Sequence, residues 1–224
     1  MNIISLEQDR ISRYEQYWNS ITPTTDNEFF LRWLFAFTSI HSTWQSNVRC
    51  YNHIKNFEQW INNKSKLSEL LILSRAGLQQ NRLEAIWDFK NKFFENPNQF
   101  KKSSNESWFS LRNRLAKDLK GIGLAKTSFA LELCYPNSVG VVCLDVHILR
   151  LLNMNILGYK ASSNKDVNEY IKGEEYWLEK TNKLNTSPYI TRCIYWDDLQ
   201  NHSDSRYWSK CLEPQMELDL EYIM

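Results

Sequence analysis

The sequence predicts an all-α chain, and three observations carry that prediction. Glycine and proline are scarce, six and five in 224 residues, too few for the many turns of a β architecture. Apolar residues recur at helical spacing, or run almost unbroken, over stretches of helix length. Breaking and capping residues separate those stretches: Thr25-Asp26, Gly77, Asn96-Pro97 and Ser187-Pro188. The length suffices for a sizeable core, in one compact domain or two closely packed lobes.

Taken in order, residues 3–20 form a first helix with Ile4, Ile11, Tyr14 and Trp18 roughly on one face. Pro23 breaks it, and Thr25 or Asp26 caps the next helix, Asn27 to about Ile40. That helix is apolar nearly all round (Phe29, Phe30, Leu31, Trp33, Leu34, Phe35, Phe37), which predicts burial. The polar segment 39–47 follows, and then a helix from Val48 to Ile54. Short helical runs occupy 57–62 and 66–75, with Gly77 at the expected C-terminal stop. Gly77 opens a helix reaching about Phe94, which Asn96-Pro97 ends. Ser107–Leu119 and Leu124 to about Cys134 are two helices joined by Leu119-Lys120-Gly121-Ile122-Gly123.

Two glycines around one apolar residue let the backbone bend sharply and approach another molecule closely. The helix after the turn presents free N–H groups and the positive end of its dipole, which suit a phosphate. Ile122 would anchor the turn. About two dozen residues downstream, Asp145 stands immediately before a helical run, Val146 to Leu152. Asn153–Asp166 reads as loop, and Val167–Leu184 and Tyr189–Leu199 as the last helices.

LKGIG, a helix, and LDVH opening another helix resemble the helix-hairpin-helix superfamily of DNA glycosylases, the endonuclease III-like fold. The resemblance runs in order over roughly Phe29–Leu152 and includes the Gly77-Leu78 helix start. It implies a two-lobed helical fold, one lobe about 41–145, the other from 1–40 and 146–212, with an acidic tail at 213–224. It also implies that the hairpin, Lys120, Gly121, Ile122, Gly123, Leu124 and Lys126, grips DNA phosphates. Asp145 would be the catalytic carboxylate, stabilising the sugar cation as the N-glycosidic bond breaks. An N-cap role for Asp145 is compatible, because a cap fixes the carboxylate's direction. The base must first leave the stack. His41, Trp44, Gln45, Asn47, Arg49, Asn81 and Arg82 are the candidates for base pocket or wedge.

One departure bears on the reaction. Family members that also nick the strand place a Lys two residues after the second hairpin glycine; here that residue is Ala125, and Lys126 follows it. One step turns a side chain by about 100° around a helix. Lys126 is therefore expected to point away from the sugar, and the enzyme to be monofunctional. The resemblance implies no cofactor, and it admits a monovalent cation on the hairpin carbonyls.

The charge agrees with a DNA partner. The net charge is only +1, but residues 101–126 carry seven bases against two acids. Five cysteines without a CxxC pair support neither a zinc site, nor a disulfide framework, nor the four closely spaced C-terminal cysteines of iron–sulfur members. No signal peptide or membrane-spanning stretch is read, so a cytoplasmic monomer is expected, with DNA and no membrane as partner. Two other classes remain at this stage. One is a phage-type enzyme that transfers an amine or amino acid to an activated thymine in DNA. The other is a DNA-binding module without catalysis.

Overall fold

The computed structural model describes residues 8–201, with the side chain of residue 200 left aside. Ile4, Cys211 and the acidic segment 213–224 lie outside that range. Ten α-helices follow one another, with no strand among the described residues: α1 (Gln8–Ser20), α2 (Asp26–Thr38), α3 (Trp44–Ile54), α4 (Lys64–Leu73), α5 (Gln79–Glu95), α6 (Trp108–Asp118), α7 (Leu124–Cys134), α8 (Val146–Leu151), α9 (Asn164–Asn182) and α10 (Pro188–Gln200). No described helix is long and apolar enough to cross a membrane.

Helix α2 is the central element. Nine of its residues, Phe29, Phe30 and Arg32 to Thr38, are buried, and it lies most extensively along α7. Phe30 stacks on Phe89 of α5 at 5.2 Å between centroids, and Phe89 in turn stacks on Phe37 at 4.8 Å. Each fully buried phenylalanine contributes roughly 1.5–3 kcal/mol. Most of the aromatic content is thus core. This cluster spans α1 to α7 and α10. A second, smaller cluster joins Ala116 of α6 and Leu124 of α7 to α8 and α9 through Ile148, Leu149, Tyr170 and Trp177.

The start of α2 is a capping box. Thr25 accepts from the Glu28 N–H, and one Glu28 carboxylate oxygen accepts from the N–H groups of Thr24 (2.7 Å) and Thr25 (2.9 Å). Those two backbone donors hold the Glu28 carboxyl down at about 2. A lowered carboxylate stabilises the fold above its unfolded value near 4.5, and the contribution disappears as pH falls through about 2. Glu28→Ala is expected to cost about 0.5–1 kcal/mol at neutral pH. In thermal melts, the difference from wild type should shrink towards pH 2.

Three sequence expectations shift. Helix α3 starts at Trp44 and not at Val48, because Thr43 caps it by accepting from the Ser46 N–H at 3.2 Å. Residues 57–59 form a 3₁₀ turn. Gly77 is not the cap of α4, which ends at Ser74; left-handed Arg75, Gly77 and Leu78 instead make a separate bend into α5.

Candidate active site

The hairpin turn needs Gly121 twice over. Its φ is +71°, and a Cβ there would sit 2.7 Å from the Ala85 Cβ of α5. Ile122 is buried. Gly123 begins α7 without a side-chain cap, whereas α2, α3, α4, α6, α8, α9 and α10 each carry one. A Cβ on Gly123 would meet nothing within 4 Å. A helix start with no side-chain cap, behind an exposed glycine, is a geometry that suits a phosphate.

Beyond α7 residues 141–145 form neither helix nor strand; Leu144 N and Asp145 N donate within the segment, to Val142 O (3.1 Å) and Cys143 O (2.9 Å), and buried side chains also bind its backbone. Glu174 of α9 accepts from Val142 N (2.9 Å), Glu132 of α7 from Cys143 N (2.9 Å), and the Tyr170 hydroxyl from Leu144 N (2.9 Å) while donating to Val142 O (2.9 Å). Each carboxylate has a guanidinium partner, Arg112 for Glu174 at 2.5 Å and Arg192 for Glu132. Burial lifts Glu174 to about 7, against the pull of Arg112. Burial likewise raises Glu132 above its ordinary value, although Arg192 opposes it. Desolvation disfavours the Arg192 charge, but Glu132 and then Asp145 outweigh it and push its pKa well up.

This scaffold delivers Asp145 to the head of α8. Its Oδ1 accepts from the N–H groups of His147 (3.0 Å) and Ile148 (3.2 Å). Its Oδ2 accepts from the Trp196 indole N–H at 2.8 Å and lies 3.7 Å from the Arg192 guanidinium. The carboxylate is fixed at both oxygens while its side chain remains 15% exposed.

Asp145 lines a cavity of about 400 Å³, within the range of ligand pockets. Lys126, expected to point away from the sugar, lines the same cavity. A lysine's four-carbon stem reaches around a helix first turn, so an offset of one residue does not exclude it. From the α2–α3 connection and α3 come Ser42, Thr43, Trp44 and Asn47; from α10 come Tyr189, Arg192, Cys193 and Trp196. Burial pushes the Cys143 thiol, also on the wall, up to about 12, so it is a neutral surface and not a nucleophile.

The other candidates fall elsewhere. Arg82 is a correction: it is buried, and its guanidinium binds Ala76 O (2.7 Å), Gly77 O, Ile40 O (2.6 Å) and Ser42 Oγ (2.6 Å), clamping the bend 75–78 to the cavity lip. Arg49 is tied to Ser74 O at 2.8 Å. His41, Gln45 and Asn81 are exposed and outside the cavity lining. The basic run is largely neutralised: Arg112 is buried on Glu174, Arg114 pairs with Glu106 and Lys101 with Asp26. Among the described residues no group of three His, Cys, Asp or Glu is placed to hold a metal ion.

A sequence model of the family described as 8-oxoguanine DNA glycosylase matches residues 8–186. The chain belongs to that family. It is thus a DNA N-glycosylase of the helix-hairpin-helix superfamily. Among solved structures, the 8-oxoguanine DNA glycosylase of Thermotoga maritima is similar at a TM-score of 0.69 and 19% identity, over 86% of this chain and 91% of that one. The Methanocaldococcus jannaschii 8-oxoguanine DNA glycosylase gives 0.69 and 20%, over 87% and 88%. The 8-oxoguanine glycosylase/lyase of the same organism, in complex with 15mer DNA containing 8-oxoguanine, gives 0.66 and 22%, over 87% and 91%. At these identities the likeness establishes the fold. A search of curated proteins found no match.

In this family member the α10 residues are the ones sequence reasoning missed. Their only sequence signal is the set of polar and aromatic side chains Tyr189, Arg192, Tyr195 and Trp196 on that helix.

Proposed function

We propose that this glycosylase extrudes and excises a damaged purine of the 8-oxoguanine type, and that Lys126 acts on the sugar beside Asp145. The observation that carries the reading is the shared cavity: a carboxylate fixed at both oxygens and a lysine line one base-sized space beside the hairpin. The substrate class comes from the family match and from the relatives named for 8-oxoguanine.

The chemistry follows from those two groups. The glycosidic bond breaks with its electron pair leaving on the base nitrogen, and Asp145 stabilises the positive charge that develops on the sugar. The Lys126 amine bonds to C1′ and loses a proton; the C1′–O4′ bond then breaks, O4′ takes a proton, and C1′ becomes an imine. Loss of a C2′ proton then breaks the C3′–O bond, and the departing 3′ phosphate leaves a nick. The uncapped N-terminus of α7 holds the deformed backbone. Leu78 supplies the wedge. It is apolar, exposed, left-handed at φ +52°, and sits on the bend that Arg82 ties to the cavity lip.

The test uses duplexes bearing 8-oxoguanine. Wild type should release free 8-oxoguanine, and borohydride should trap a protein–DNA adduct that Lys126→Ala cannot form. Base release without an adduct would leave a hydrolytic glycosylase and remove Lys126 from the chemistry. A base that gains mass instead of leaving would overturn excision altogether.

A further inference from the structure

The cavity holds one side chain whose polar atoms are unaccounted for. Asn47 is 2% exposed, and neither its Nδ2 nor its Oδ1 finds a hydrogen-bond partner in the protein. Leaving such atoms unmade in a buried place is costly, and native structures rarely tolerate it without cause. Nor is the placement loose. Asn47 lies in the first turn of α3, its N–H donates to Thr43 O at 2.9 Å, and Thr43 caps the helix. Beside it on the same wall, Trp44 is held edge-on to Phe35 at 5.6 Å, leaving a ring at the cavity surface. Arg192, the nearest alternative for reading a base, is engaged by Glu132 and faces Asp145.

We propose that the Asn47 carboxamide reads the extruded base, taking an edge on which one donor and one acceptor lie side by side. This rests on the excision reading above and adds the residue that selects the base. The chemistry decides between intact and oxidised guanine. Guanine shows two acceptors, N7 and O6, along its major-groove edge. Against it the Asn47 Nδ2 can donate, but Oδ1 faces a lone pair. Oxidation at C8 puts a proton on N7 between two carbonyls. That edge then offers N–H to Oδ1 and C=O to Nδ2, and both orphaned atoms are satisfied together. Adenine's N6/N7 edge also matches a carboxamide, so Asn47 separates oxidised from intact guanine and not from adenine.

Binding is the direct readout, because it does not require turnover. Three duplexes are compared: one with a 2′-fluoro 8-oxoguanine nucleotide that resists cleavage, one with guanine, and one with a tetrahydrofuran abasic site. Wild type should prefer the 8-oxoguanine duplex over guanine by roughly tenfold to a hundredfold, the worth of one or two buried hydrogen bonds. Asn47→Leu should bring that ratio near one, leave abasic-site binding unchanged, and raise Tm, since the orphaned amide is gone. Asn47→Asp keeps an oxygen that accepts from the N7–H and meets the guanine N7 with a lone pair, so it should still prefer 8-oxoguanine. Preference retained in Asn47→Leu, or absent from wild type, overturns the proposal. So does a fall in Tm together with lost abasic-site binding, which would make Asn47 structural. Base release is scored separately. Its absence in wild type counts against excision, whereas an unaltered preference in Asn47→Leu counts against Asn47 alone.

Discussion

Asp145→Asn is expected to lower single-turnover base release by roughly 10²- to 10⁴-fold, with the fold intact. Geometry separates the two effects. Oδ1 caps α8 through His147 and Ile148, and an asparagine oxygen does the same. What the substitution removes is the negative charge at the cavity. It also turns an amide nitrogen towards the Trp196 indole N–H and the Arg192 guanidinium, where Oδ2 had been an acceptor. The cap should keep the stability loss to about 1 kcal/mol. Circular dichroism and Tm check the fold, and a quenched single-turnover assay checks the rate. Activity within tenfold of wild type would mean that Asp145 is not the group at the sugar.

Arg192→Met carries the largest expected cost in stability, about 3–5 kcal/mol. It leaves Glu132 buried without its guanidinium, while that carboxylate still accepts from Cys143 N. In a chain of this size the loss corresponds to a Tm drop on the order of 10 °C. The double variant Arg192→Met/Glu132→Gln should recover much of it, because no unpaired charge is then buried. The pH dependence has a definite sign. Burial already raises Glu132 above its ordinary value of 4.5, and losing Arg192 raises it further. The folded state then binds more protons than the unfolded one, so stability falls as pH rises from about 4.5 towards the folded value. Arg192→Met should accordingly be less destabilised at pH 5 than at pH 8. Denaturant melts at both values measure it, and an equal loss at each would show that Glu132 does not ionise there. Base release should fall too, since Arg192 and Glu132 together hold the segment that aims Asp145.

The local elements follow from residues that lie close together along the chain. Gly121 marks the hairpin because its positive φ and its contact with Ala85 admit no side chain. Asp145 was legible as the cap of a short helix, and α2 as a buried helix, because capping and apolar periodicity are written within a few residues. The order of these pieces also carried the superfamily. Which side chains share the cavity depends on packing between distant segments. Arg192 and Trp196 stand about fifty residues beyond Asp145 on a helix with no local signature, and packing alone brings them to it. Arg82 looked like a DNA contact and is a buried clamp, since a guanidinium satisfied by three carbonyls and a hydroxyl is indistinguishable in sequence from a free one. Lys126 lines the cavity despite its one-residue offset for a related reason. A helical angle fixes where a Cβ points, but the reach of a long side chain depends on the walls around it. Helices are set by neighbours along the chain, whereas the site is set by neighbours across it.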